Sequence, residues 1–370
     1  MKIAPHRLAS ILTLGAGIAC CVPPRATPRD AGTEVDGGSP IVFSLGVTDN
    51  NSATHQVAPY ITLSFETGTL GPDSVLSRRV TTPPTLDGLD SDWASIAGSV
   101  VSLHPDGAAI GMSLDEWNSG FGLLRDGGVR PYDLGIDSAL VKSAFDDTNL
   151  YFLVQWSDST KNDMKGRLTL ADGGWARNTD DEDRLFLAFD VNFPDFRELG
   201  CAAACHLRER VGDNTDAGIA YRTRMHTNAV GERADLWSWG AFTTNPMNHA
   251  DDISWDQAGR VSDNAAAFAT SNRRALDGGA LEPLFMSEDG VNASPAYLYA
   301  PDAGGHPAAV PFDGDGAVPG TSIPGVLHQL AGGSRADIRA VGQWRNGKWT
   351  VELARRRVTD DPNDAQFLIP

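Results

Sequence analysis

The chain has 370 residues, 30 basic against 48 acidic, a formal net charge of -18, and 41% hydrophobic residues. That balance argues against nucleic acid or an anionic lipid surface as a partner, because both recruit lysine and arginine, and it suits a docking partner with a basic patch. No glycine-rich phosphate loop, nucleophile elbow or HExxH motif occurs, so the sequence predicts a carrier or binding subunit and not a catalyst.

Residues 1–21, "MKIAPHRLASILTLGAGIACC", join a basic start at Lys2 and Arg7 to an apolar run from Leu8 to Ala19. This is the layout of a secretory signal, and the run is shorter than the roughly 20 apolar residues of a permanent membrane span. Cys20 follows "GIA", similar to the small-residue box ahead of the lipidated cysteine of bacterial lipoproteins, although Gly17 stands where leucine is preferred. Cys20 is thus a candidate lipidation site, with an ordinary cleaved signal as the alternative. The expected location is the periplasm or, through a lipid anchor, the outer membrane and cell envelope.

Residues 22–56 are rich in Pro, Gly, Asp, Ser and Asn, with one apolar patch, "IVFSLGV", and read as a flexible linker. The folded region is expected over 57–370, long enough for a large core. "YITLSFE", "LVKSAFDDTNLYFLVQWSD", "DRLFLAFDV" and "DIRAVGQWRNGKWTVELARR" have a period near two, and "DDTN" and "RNGK" punctuate them. Asn346-Gly347 supplies the positive-φ pair of a tight hairpin between Trp344 and Trp349. Residues 262–334 are loaded with Gly, Pro, Asp and Ala and read as a loop-rich insertion without its own core. The acidic run Asp180, Asp181, Glu182 and Asp183 reads as a solvated turn, and "DGDG" at 313–316 likewise, because neither has the full spacing of a calcium loop. The fold class is mainly β: an antiparallel, immunoglobulin-like β-sandwich with long irregular insertions.

Chemistry concentrates in "GCAAACHL". Cys201 and Cys205 are the only cysteines beyond the signal, and a disulfide between them closes too short a loop to stabilise the chain much. Covalent haem attachment needs two thiols about a helical turn apart followed by an imidazole, usually as CxxCH. CxxxCH keeps roughly one turn between the thiols if the three alanines are helical, with His206 as proximal ligand. A local disulfide with a surface His206 remains the competing reading, and zinc lacks a second ligand cluster.

These residues stand in a recognisable order. "CAAACH", then "MHTN", "ADLWSWGAFTTNP" and "ADD", resemble the haem-binding domain family of the ethylbenzene dehydrogenase γ subunit and the dimethyl sulfide dehydrogenase subunit. "PPTLDGLDSDWASIA", with an Asp87-Gly88 turn and Trp93 plugging one end of the core, resembles the opening of these domains and of the family 9 carbohydrate-binding modules that share their sandwich. The resemblance covers about residues 80 to 360. It implies a sandwich holding one haem, ligated in family members by methionine and lysine, and passing electrons, with a molybdenum oxidoreductase or another cytochrome as redox partner.

The sequence departs from the family in carrying thioether-type cysteines with their own His206, so c-type covalent haem is expected, with b-type haem as the alternative. Met225 is the first choice for the sixth ligand, because it lies in a polar stretch between the cysteines and the tryptophan strand. His226, His249 and the family-like Lys165 are alternatives. Trp237 and Trp239, two apart on one strand face, are expected to wall the haem. A haem-free carbohydrate-binding module using Trp117 or Trp175 is the reading from a different class.

Overall fold

Alternation marks the strands: along the regular segments, apolar side chains recur at every second position and give each strand a face to bury against the core, and several central strands are buried on both faces. The computed structural model describes residues 40–48, 56–67, 73–105, 136–211, 220–262 and 265–369; for 104–105, 205–211 and 220–224 it describes the backbone alone. The signal and lipidation assignments, including Cys20, lie outside the described residues. Among those described, no helix is long and apolar enough to cross a membrane.

In chain order the first strands are β1 (Ile41–Thr48), β2 (Gln56–Phe65), β3 (Ser74–Arg79), β4 (Ser99–Ser102), β5 (His104–Pro105), β6 (Ser138–Phe145) and β7 (Asn149–Ser157). There follow β8 (Leu168–Ala171), β9 (Gly174–Arg177), β10 (Arg184–Asp190), the one-turn helix α1 (Phe196–Leu199), β11 (Cys205–Val211) and β12 (Ala220–Met225). Next come β13 (Ala234–Gly240), β14 (Asp251–Asp256), β15 (Gly259–Ser262), β16 (Ala269–Ser271), β17 (Arg273–Ala275) and β18 (Leu281–Pro283). The chain closes with β19 (Phe285–Ser287), β20 (Ala309–Pro311), β21 (Ser322–Ile323), β22 (Val326–His328), β23 (Arg339–Trp344) and β24 (Lys348–Arg356).

One hydrogen-bonded path runs β15-β14-β13-β10-β1-β2-β3-β6-β7-β24-β23. Its two halves face each other, and the core lies between them. Phe43 of β1 meets Phe152 of β7 at 5.6 Å between ring centroids, and Trp239 of β13 meets Trp349 of β24 at 5.1 Å. The expected β-sandwich is therefore present, with one difference. β3 pairs in parallel with both β2 and β6, because alternation fixes which face is buried but not the direction of the neighbour.

The hairpins read from sequence form as local chemistry dictates. Asn346 and Gly347 have φ of 54° and 74°, and Trp344 pairs with Trp349. In the β6–β7 turn, Asp146 Oδ1 accepts from the amides of Thr148 and Asn149, both at 2.7 Å.

Three expectations are corrected. The 22–56 linker contains β1, a central strand whose Phe43, Leu45 and Val47 are fully buried; eight residues of alternation outweigh the Gly and Pro around them. The 262–334 insertion builds small sheets of its own, β16–β22 and β19–β20, and strands β17 and β18 join β9, with a satellite apolar cluster of Leu298, Ala300, Ala309 and Leu327. The 180–183 run is only half solvated. Glu182 accepts from the amides of Phe242 and Thr243 and pairs with Lys165, while Asp183 accepts from Trp349 Nε1 at 2.8 Å.

A buried carboxylate also explains "TLDGLDSDW". Glu352 of β24 accepts from Asp87 N at 2.8 Å, Gly88 N at 2.6 Å and Trp93 Nε1 at 2.7 Å, so one side chain holds the turn and the plug together. Burial raises its pKa while those donors oppose the rise. Trp93 is fully buried, in a small cluster with Ile96, Ala144, Tyr151 and Leu153 that is separate from the main core.

Candidate functional site

An antiparallel sandwich usually presents polar side chains on its outer faces. Here the outer face of the β1–β10–β13–β14 layer is apolar: Val42, Phe186, Ala188, Ala234, Leu236, Ile253 and Trp255 form a second core. The connection after β10 covers it. Asp190 Oδ1 accepts from Phe193 N at 2.7 Å and turns the chain back, and Phe193 and Phe196 then bury against the sheet.

Gly200 ends α1 with φ 57°, and a Cβ there would lie 1.6 Å from Pro59 O, so only glycine allows the chain this close to β2. The next residues, Gly200–Ala204, form a 3-10 turn. A register shift between Phe43 and Leu45 in the β1–β2 ladder leaves Ser44 to bridge the layers of chain. Its Oγ accepts from Cys201 N at 2.8 Å and donates to Pro59 O at 2.5 Å.

The thiol geometry expected from an α-helical turn is corrected. The three alanines are too few to propagate an α-helix, and Cys205 is drawn instead into β11. Cys201 thus sits on the 3-10 turn, 4% exposed within the outer core, while Cys205 opens a strand. The side chains of Cys205 and His206 lie outside the described residues.

The β11–β12 hairpin supplies the rest of the constellation. Cys205 pairs directly with Met225, and His226 N donates to Ala204 O at 3.0 Å. Met225 packs on the outer core beside Cys201, Ala203 and Ala204. His226 Nδ1 lies 2.8 Å from the carbonyl oxygen of Thr227, an acceptor, and donates to it.

The other candidates are placed elsewhere. His249 stacks on Phe268 and donates from Nδ1 to Met247 O at 2.6 Å, and its backbone forms an isolated β-bridge with Arg339. Lys165 is held by Glu182 at 2.8 Å and Asp181 at 3.3 Å. Trp237 and Trp239 share a face as expected, but it is the inner one. Trp237 packs on Phe189 and Phe152, Trp239 on Trp156 and Trp349, and both are fully buried. They are core residues, with no face left for a macrocycle.

The tryptophan that does line the outer core is Trp255, edge-on to Phe186 at 6.1 Å. Sequence reasoning missed it, although its alternation with Asp252 and Ser254 in "DDISWD" carried the signal. Among the alternatives for sugar binding, Trp117 lies outside the described residues, and Trp175 is half-buried edge-on to Phe312 at 5.6 Å.

None of the curated proteins compared with the chain matches it. The sequence profile of the ethylbenzene dehydrogenase family, in contrast, matches residues 90–369, a span that holds the β6–β7 and β23–β24 hairpins, the cysteine turn, Met225, His226 and the tryptophan strand. The chain belongs to the ethylbenzene dehydrogenase family.

Proposed function

We propose that this protein is an exported, haem-binding electron-transfer protein, related to the subunits of molybdenum dehydrogenases, and an electron carrier in its own right and not a catalyst. The observation that carries the reading is the β11–β12 pairing, which sets the backbone of Cys205 against Met225 and His226 against Ala204, next to the apolar cluster that holds Cys201 and Met225. Supporting the reading, Cys201 lies in an apolar cluster with Phe186 and Trp255, beside the small Ala203 and Ala204.

Cys201 and Cys205 would anchor the group, and His206 together with Met225, or else His226, would ligate its iron. Bound there, haem would supply a one-electron couple, with a potential raised by methionine and lowered by a second imidazole. The chain's own part is to exclude water with Phe186, Phe193, Phe196 and Trp255 and to orient the ligands through backbone pairing. The -18 charge suits docking on a basic face of a redox partner, with a molybdenum oxidoreductase as the partner the family suggests. Export to the periplasm, with Cys20 as a lipid anchor, follows from the N-terminal sequence.

The test is the optical spectrum of the reduced full chain after expression with c-type maturation factors, followed by haem staining of a denaturing gel. A c-type spectrum with a stained band is expected. Colour lost on denaturation would mean b-type haem, and a colourless protein would end the haem reading.

A further inference from the structure

At the end of the inner core, away from the cysteine turn, Arg355 of β24 reaches across to the opposite layer. Its Nη1 lies 2.7 Å from Asp235 of β13, 3.2 Å from Asp252 of β14 and 3.8 Å from Asp364 of the C-terminal segment. Its Nη2 donates to Ala365 O at 2.5 Å, and the guanidinium lies over Trp237 at 4.8 Å and Phe367 at 5.5 Å. Asp235 Oδ2 accepts in addition from Ala365 N at 2.8 Å and Trp237 Nε1 at 3.3 Å, while its Oδ1 is buried with no donor. Asp364 Oδ2 accepts from Thr359 Oγ1 at 2.7 Å. Asp337, ahead of β23, also faces this group, with Asp361 beyond it.

The charges do not balance. Oxygens of Asp235, Asp252 and Asp364 lie within 4.8 Å of one another, all three side chains are buried, and a single guanidinium serves them and Asp337. Removing several like charges from water around one counter-charge is costly, and the ordinary relief is to neutralise one of them.

We propose that the cluster binds one proton, held by Asp252 and Asp364, and that this proton keeps segment 357–369 clasped across both layers, so that the clasp loosens as the medium turns alkaline. The groups respond in that sense. Burial, reinforced by Asp235, raises Asp252 well above the usual carboxylate range, and burial pushes Asp364 up to about 7 against the pull of Arg355. Asp337 is raised by burial too.

In the unfolded chain these carboxyls ionise near 3.8, so between there and about 7 the folded state holds the extra proton. Stability is therefore complete below the lower value and falls as pH rises, by about tenfold in the folding constant per pH unit for one proton. Phe367, which closes the core on Phe189 and Trp237, would be the side chain released.

The experiment is a carbon NMR titration of the full chain labelled at aspartate carboxyls, with urea stability measured from pH 4 to 9 on the same protein and on Asp364→Asn. The expected result is a carboxyl with a midpoint near 7 that is absent from Asp364→Asn, and a roughly fiftyfold fall in the folding constant between pH 5 and 7 that the variant loses. Asp252→Asn serves if Asp364→Asn does not fold, and the wild-type titration decides without either. Ionisation of every aspartate by about pH 5 would overturn the proposal. So would millimolar calcium stabilising the wild type, but not the variant, at pH 8, because a cation and not a proton would then balance the cluster.

Discussion

Strand β13 serves two cores with opposite characters. Its inner face gives Asp235, Trp237 and Trp239 to a core packed ring against ring, and its outer face gives Ala234 and Leu236 to the apolar cluster around Cys201. The inner core is built from strands of both layers and is closed by protein alone. The outer one is covered by a turn, a one-turn helix and a hairpin, and small residues line the place where the cysteine sits. A family of sandwiches can keep the first while the second acquires or changes a cofactor, since the two share strands β1, β10 and β13 but no side chain.

The comparison predicts different costs on the two sides. Trp237→Ala on the inner face should cost about 3–5 kcal/mol by urea unfolding, through the cavity it leaves and the lost stacking on Phe189. A loss below about 1 kcal/mol would break the distinction, because the ring would then not be core.

Glu352→Ala strands the buried donors of Trp93, Asp87 and Gly88 and should cost about 3 kcal/mol in the same assay, without altering haem content.

On the outer face, Gly200→Ala forces a Cβ into Pro59 O, and about 2 kcal/mol of strain is expected at that turn. Its distinguishing outcome is loss of haem incorporation from a protein whose near-ultraviolet circular dichroism, dominated by the inner tryptophans, stays native.

Met225→Ala should cost under about 1 kcal/mol, since the side chain is only partly buried, yet shift the reduced spectrum and lower the potential if methionine ligates. An unchanged spectrum with a shift in His226→Ala would move the ligand one residue along.

The exposed Arg274–Glu282 pair marks the lower limit. Arg274→Ala should change stability by no more than about 0.5 kcal/mol in thermal unfolding.

What was legible in the sequence was local. Asn346-Gly347 needs only its own φ angles to form a hairpin, and the alternation of "DRLFLAFDV" needs only a core somewhere to become β10. The cysteine motif was legible as a set of residue types, and its nearness to Met225 followed from their closeness in the chain. What was hidden depends on long-range partners. "IVFSLGV" looks like a patch in a tether until β2 and β10 flank it, and the faces of Trp237 and Trp255 cannot be told inner from outer without knowing which layer lies opposite. Arg355 reads as one of several arginines in "ELARRR", yet it is the one buried among aspartates contributed by three separate segments. Lys165 was attractive for its scarcity, but scarcity carries no geometry, and two carboxylates hold it.

The central claim is that Cys201 and Cys205 carry a haem over the outer face of this sandwich. Intact mass of the exported full chain, measured under denaturing conditions after c-type maturation, tests it most directly. The account predicts an increase of one haem that is lost when both cysteines are replaced by alanine. A mass equal to the processed polypeptide, with the two cysteines oxidised to each other, would contradict it.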